Sequence, residues 1–148
     1  MATDDLTADP ISTADSTSEP TATSTSEKTS LGVDENVAGA LAYVFGVVSG
    51  AIVFVLESEN QFVRFHAAQS IVLSIAIFAA SFALAMVNIV LGIVIGGLLG
   101  GLISLVLSLV GLVAGFGAFA LWLYMLYKTY QGETVRVPVV AGIADSIA

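Results

Sequence analysis

The polar residues best able to do chemistry stand together where a long apolar segment begins. His66, Gln69 and Ser70 are spaced by three and four residues, which places them on one face of a helix. An imidazole just inside a membrane boundary can serve as a proton-sensitive or hydrogen-bonding group facing a bundle interior. The alternative is an interfacial histidine satisfied by headgroups, water or a neighbouring helix. We favour this alternative, because no carboxylate accompanies the histidine inside the apolar segment.

Two further polar side chains complete the candidate cluster. Arg64 lies between Phe62 and Phe65, a pattern typical of an interface anchor whose guanidinium reaches lipid phosphate or a nearby glutamate. Asn88 is the strongest polar group deep in the apolar region, and its amide needs a partner across helices or at the far interface. The predicted functional polar cluster is therefore Arg64, His66, Gln69, Ser70 and Asn88.

Catalytic and cofactor chemistry has little support in the sequence. Glu57, Glu59 and His66 could gather around an ion, but they show no ligand pair at fixed helical spacing, and the chain has no cysteine. No serine stands with a histidine and an acid in a recognisable catalytic order, and no glycine run follows a strand to hold phosphate. We predict no catalytic residues, no metal, no cofactor and no enzymatic activity.

The composition indicates that the bilayer is the solvent for most of this chain. Hydrophobic residues make up 57% of it and charged residues 11%, whereas roughly a quarter of the residues in soluble domains are charged. The segment 67–127 carries no charged residue at all. A net charge of −8 with only four Lys and Arg residues excludes a basic surface for nucleic acid.

The first thirty residues have a different character from the rest. They are rich in serine, threonine and acids, and their only large aliphatic residues are Leu6 and Ile11. Such a segment cannot bury enough surface to offset the entropy of ordering it. We predict a disordered acidic tail over 1–30, a transmembrane helical domain over 31–130 and a short C-terminal tail over 131–148.

Uncharged length predicts an all-α membrane protein built as a bundle of three transmembrane helices. Twenty uncharged residues at 37–56 match the roughly 30 Å hydrocarbon core, and the long apolar segment divides into helices at about 62–90 and 97–127. The alternative has four helices, with the glycine-rich stretch 92–101 forming an extra short crossing or a re-entrant hairpin shielded by protein.

Small residues follow one face of the predicted last helix. They recur at intervals of three and four without a break, which is the period of a single helix face that lets another backbone approach closely. The predicted packing residues are Gly97, Gly101, Ser104, Ser108, Gly111 and Gly115.

Basic residues suggest an orientation for three crossings. Arg64 lies in the first loop, and Lys128 and Arg136 follow the last helix, so the positive-inside rule places these segments in the cytoplasm. The prediction is a multi-pass cell-membrane protein with its N-terminus outside and its C-terminus cytoplasmic.

Three segments carry a family resemblance: residues 31–43, the Phe-x-x-Phe-His-Ala-x-Gln-Ser sequence at 62–70, and residues 130–138. They resemble an uncharacterised prokaryotic membrane family related to the twenty-kilodalton component of the chloroplast Tic translocon. The acidic composition is similar to versions from salt-loving archaea. The resemblance implies three or four membrane helices, and a translocation or channel role proposed for the plastid relatives only. It implies no catalysis.

Two functions remain open on these grounds. The first is a non-enzymatic scaffold or assembly component acting through helix contacts, with the lipid bilayer, further copies of itself or other membrane proteins as partners and no nucleic acid. The alternative is a channel or protein-translocation subunit, in which His66, Gln69, Ser70, Ser74 and Asn88 line a wet path in an oligomer.

Overall fold

A computed structural model describes residues 28–148, and this part of the chain is helical without any β-strand. Residues 1–27 of the predicted tail lie outside the described residues. Residues 28–30 lie within them, and Lys28 forms an isolated β-bridge with Asp34. The helices are α1 (Glu35–Val44), α2 (Val47–Leu56), α3 (Gln61–Ile95), α4 (Gly97–Tyr130) and α5 (Val140–Ile147).

The two long helices α3 and α4 form an antiparallel hairpin. They contain 35 and 34 residues, and both are long and apolar enough to cross a membrane. A single residue, Gly96, separates them, and its φ of 61° lies in the left-handed region that favours glycine. The predicted helices at 62–90 and 97–127 therefore exist and are slightly longer than expected. The fourth helix proposed for residues 92–101 is wrong, because this stretch comprises the end of α3, the turn at Gly96 and the start of α4.

The predicted first transmembrane helix at 37–56 is wrong, because residues 35–56 form two ten-residue helices that fold back on each other. Ala38 and Ala42 of α1 pack in one cluster with Val53 of α2, which a continuous helix would hold apart. At the open end of this pair, the Asn60 amide donates to the Glu35 carboxylate at 3.0 Å. Both ends of the pair therefore lie beside the start of α3, and we call residues 35–56 the re-entrant hairpin.

The turn of the re-entrant hairpin depends on Gly46. This glycine has φ 57° and ψ −119°, and a Cβ placed on it would lie 2.6 Å from the Ser74 hydroxyl oxygen. Gly50 of α2 is also pressed against α3, since its Cβ would lie 3.1 Å from the Ala67 carbonyl oxygen. The turn therefore reaches the level of Ser74 on α3, and α2 then returns along the same helix.

The molecule has two ends of different thickness. At the near end, the re-entrant hairpin, residues 61–74 of α3, residues 119–130 of α4 and α5 pack together. At the far end, residues 75–118, only α3 and α4 are present. Between Ser74 and Tyr124 a single residue, Gly100, is buried. The packed core therefore belongs to the near end, and the far end exposes apolar side chains on nearly every face.

The described N-terminal and C-terminal segments lie at the same end. Asn36 donates to the Tyr130 carbonyl at 2.8 Å, Ser30 contacts Glu57, and Arg64 donates to the Ala148 backbone oxygen at 2.9 Å. The expectation of an outside N-terminus and a cytoplasmic C-terminus needs these segments at opposite ends. The re-entrant hairpin brings them together instead. The predicted tail at 131–148 also contains α5, which packs on Phe65 and Ala68 of α3.

Candidate functional site

A buried polar cluster lies where α1, α3 and α4 meet. His66, Gln69 and Ser70 are at most 1% exposed, and Tyr43 from α1 and Thr129 from α4 are equally buried beside them. A Cβ on Gly39 of α1 would lie 2.8 Å from the Thr129 methyl carbon, so the Thr129 side chain packs directly on the α1 backbone. The structure thus brings three of the five predicted cluster residues together in the near end.

A chain of hydrogen bonds fixes the proton positions in this cluster. The Gln69 amide donates to the Tyr43 hydroxyl oxygen at 3.0 Å, which leaves the Tyr43 proton free for His66 Nδ1 at 3.2 Å. Thr129 Oγ1 lies 3.3 Å from the same nitrogen. With Nδ1 accepting, the imidazole proton is assigned to Nε2. That nitrogen is buried without a hydrogen-bond partner among the described residues, in a ring packed edge-on against Phe62 and Phe65.

Gln69 also fastens the chain that leads into α5. Its amide nitrogen donates to the Val135 carbonyl at 2.9 Å, and its amide oxygen accepts from the Val137 N–H at 3.3 Å. The Gln69 side chain thus satisfies two backbone groups of this segment, as the backbone of a neighbouring strand would in a β-sheet. Gln69 therefore joins α1, α3 and the segment before α5.

Ser70 serves the turn of the re-entrant hairpin. Its hydroxyl donates to the Ala42 carbonyl at 2.7 Å and lies 3.3 Å from the Gly46 carbonyl. The last carbonyls of α1 have no partner within the helix, so a neighbouring donor must satisfy them in an apolar setting. Trp122 supplies a second such donor, since its indole N–H donates to the Tyr43 carbonyl at 2.7 Å.

Glu57 organises the surface of the near end. The carboxylate is fully buried and accepts from the Ser30 N–H at 2.8 Å, the Ser30 hydroxyl at 3.0 Å, and the N–H groups of Glu59 and Asn60. Burial raises the pKa of Glu57, but the hydrogen bonds from Asn60, Glu59 and Ser30 together outweigh it and hold the pKa below its usual value. The charged carboxylate therefore ties the segment before α1 to the loop before α3.

Arg64 is held by protein groups. Its side chain donates to the backbone oxygens of Ala148 and Glu57 and lies over the Phe54 ring, 4.5 Å from the centroid. Arg136 has a matching role, pairing with Asp145 of α5 and lying over the Phe65 ring at 4.9 Å. The two guanidinium groups thus both connect α5 to the start of α3.

Asn88 belongs to a separate site at the far end. Its amide donates across the α3–α4 hairpin to the Ser104 carbonyl at 3.3 Å and the Ser108 hydroxyl at 3.1 Å. It lies beside a groove of about 410 Å³ between α3 and α4, lined mostly by small residues. Asn88 is eighteen residues from Ser70, about 27 Å along a helix, so it does not share one path with the His66 cluster.

The predicted packing residues of α4 divide into two groups. Ser104 and Ser108 receive the Asn88 amide, and a Cβ on Gly111 would lie 3.2 Å from Leu84 of α3. A Cβ on Gly97, Gly101 or Gly115 would meet nothing within 4 Å. The first group contacts α3. The second group has open space above it, and Gly115 lines the groove between α3 and α4.

Sequence reasoning missed Tyr43, Thr129 and the hydrogen-bonding role of Glu57. A hydroxyl-bearing aromatic in the middle of an otherwise aliphatic run was the one available signal for Tyr43. Thr129 carried none, because a single threonine between Lys128 and Tyr130 has no distinctive spacing to other polar residues. In residues 28–148 no group of three or more His, Asp or Glu side chains lies close enough to hold a metal ion.

Comparison with known proteins identifies relatives over most of the chain. Residues 31–144 match the magnetosome magnetite crystal formation protein family, MamF/MmsF. The UPF0132 membrane protein MJ1443 of Methanocaldococcus jannaschii is 42% identical over 118 residues, covering 80% of this chain and 92% of the relative. The UPF0132 membrane protein of Archaeoglobus fulgidus is 37% identical over 111 residues, covering 75% of this chain and 92% of the relative.

These matches correct the resemblance drawn from the sequence. They support an uncharacterised prokaryotic membrane family and provide no link to the Tic translocon. No solved structure matches the chain. The extent of the family match and the identity to the archaeal UPF0132 membrane proteins show that the chain belongs to the MamF/MmsF family.

Proposed function

We propose that this protein is a non-enzymatic membrane scaffold that crosses the bilayer twice and binds a second copy of itself through the far ends of α3 and α4. The observation that carries the proposal is the almost complete lack of burial between Ser74 and Tyr124. Small residues with open space above them, such as Gly115, stand on that exposed surface. Small residues let helices approach closely in membranes, where packing contacts drive association.

The proposed topology places the near end in the cytoplasm. All four Lys and Arg residues of the chain lie at the near end, and the far turn carries no charge. Two crossings therefore satisfy the positive-inside rule with every basic residue, Lys28 included.

Single cysteines would test this topology directly, because the chain contains no cysteine. We expect an impermeant thiol reagent to reach Asp34→Cys and Gln131→Cys from the cytoplasmic face, and Leu98→Cys from the opposite face. Asp34 carries no side-chain cap bond, and Leu98 is 84% exposed, so these substitutions leave the fold intact. Three crossings would instead put Asp34→Cys on the face of Leu98→Cys, and that result would refute two crossings.

The proposed self-association is tested by adding bulk to α4. We expect Gly115→Leu to weaken the crosslinked dimer in mild detergent about tenfold, equivalent to about 1.4 kcal/mol. The matched control is Gly117→Leu, because Gly117 is also open but lies about 200° around the helix from Gly115. Dimers that survive both changes equally, or a wild-type protein that is strictly monomeric, would contradict the scaffold proposal.

A further inference from the structure

The near end is wide because the re-entrant hairpin stops halfway through the membrane. Its turn at Gly46 lies at the level of Ser74, thirteen residues from the start of α3 at Gln61. Thirteen residues correspond to about 20 Å of helix, while the hydrocarbon core is about 30 Å thick. With Gln61 in the headgroup region, the hairpin ends near the bilayer midplane. One leaflet therefore holds four or five helices and the other holds two.

Lipid is the partner that the exposed surface of the near end fits. The re-entrant hairpin presents Phe45 at 76%, Val48 at 64% and Val55 at 78% exposure, so its outer surface is apolar. The short helix α5 adds two exposed apolar residues at four-residue spacing, Ile143 and Ile147, and exposed Val139 lies directly before the helix. The other face of α5 packs on Phe65 and Ala68, one to two turns into α3, which places its exposed isoleucines at the membrane interface.

We propose that this shape makes the protein a curvature-selective membrane wedge. A protein that occupies more area in one leaflet than in the other fits best where the wide leaflet is convex, and binding of shallowly inserted helices depends on curvature. The inference rests on the proposed topology. With the near end in the cytoplasm, the favoured membranes are small intracellular vesicles, whose convex leaflet faces the cytoplasm.

Reconstitution of the full chain into a mixture of small and large vesicles tests the wedge. Purified protein inserts in both orientations, and an impermeant fluorescent thiol reagent distinguishes them. Gln131→Cys is labelled when the near end faces outward, and Leu98→Cys when the far end does. We expect at least about a threefold higher density per lipid area on small vesicles for the outward near end, and depletion for the opposite orientation. Equal densities for both orientations would overturn the proposal.

Two pairs of exposed substitutions show which surface carries the effect. Ile143→Ser with Ile147→Ser removes the two exposed isoleucines of α5, and Ile93→Ser with Val94→Ser removes two exposed aliphatic side chains at the far end. We expect the first pair to reduce the enrichment about twofold and the second to leave it unchanged. Equal effects of the two pairs would refute the wedge. Labelling of Asp34→Cys in the same vesicles reports separately whether the two-crossing topology holds.

Discussion

Substitution of Gly46 by alanine is expected to open the re-entrant hairpin. The backbone at Gly46, with φ 57° and ψ −119°, is one that residues with a Cβ rarely adopt, and holding alanine there costs about 1–3 kcal/mol. The new methyl group would also lie 2.6 Å from the Ser74 hydroxyl oxygen. The free energy of unfolding, measured by denaturant titration in mixed micelles, should fall by at least that amount.

Two further variants separate the causes of this loss. Ser74→Ala removes the contacting oxygen, so a loss that persists in the double variant comes from the backbone. Gly142→Ala is the control, because Gly142 lies inside α5 with nothing within 4 Å of its added Cβ. That change should stabilise α5 by up to about 1 kcal/mol, since alanine is the better helix former. If Gly46→Ala left the free energy of unfolding as high as Gly142→Ala does, the proposed turn would be refuted.

The contrast between α3 and the re-entrant hairpin shows what apolar length can and cannot predict. Both long helices follow from uncharged length, and α4 begins at the predicted residue, Gly97. The run at 37–56 has the length of one crossing, but nothing in that length distinguishes a straight helix from two helices folded together. In the sequence, Gly46 lies four residues from both Ala42 and Gly50, a spacing that suits a packing face of one continuous helix equally well. Its positive φ and its close approach to Ser74 of α3 show that it is a turn, and neither can be read from spacing.

The candidate site was predictable on one helix and hidden on the others. His66, Gln69 and Ser70 share a face of α3 by spacing alone, and the structure keeps them together. Their partners Tyr43 and Thr129 are 23 and 63 residues away from His66, and only the fold brings them near. The spacing of the small residues on α4 predicts that they share one face of the helix. Spacing alone does not say which neighbouring element that face contacts. Ser108 therefore contacts α3 while Gly115 does not.

Glu57 makes the near end sensitive to pH. Its hydrogen bonds hold the folded-state pKa below the usual value, so ionised Glu57 stabilises the folded state. That contribution is fully present above the pKa of the unfolded chain, and it is lost as the pH falls through the lower pKa of the folded state. We therefore expect the free energy of unfolding of the wild-type protein to decrease across this acidic window.

Glu57→Gln should remove this dependence and lower stability at neutral pH. An amide presents N–H groups on one side, so whichever way it is oriented, one of the donors from Ser30 or Asn60 loses its acceptor. A buried donor without an acceptor costs about 1–3 kcal/mol. Glu59→Gln is the matched control, because Glu59 is exposed and accepts no such bonds. The loss of stability caused by Glu57→Gln should become smaller in acid, where the wild-type carboxylate is itself protonated and uncharged. A loss that stayed constant with pH would show that the charge of Glu57 contributes nothing to stability.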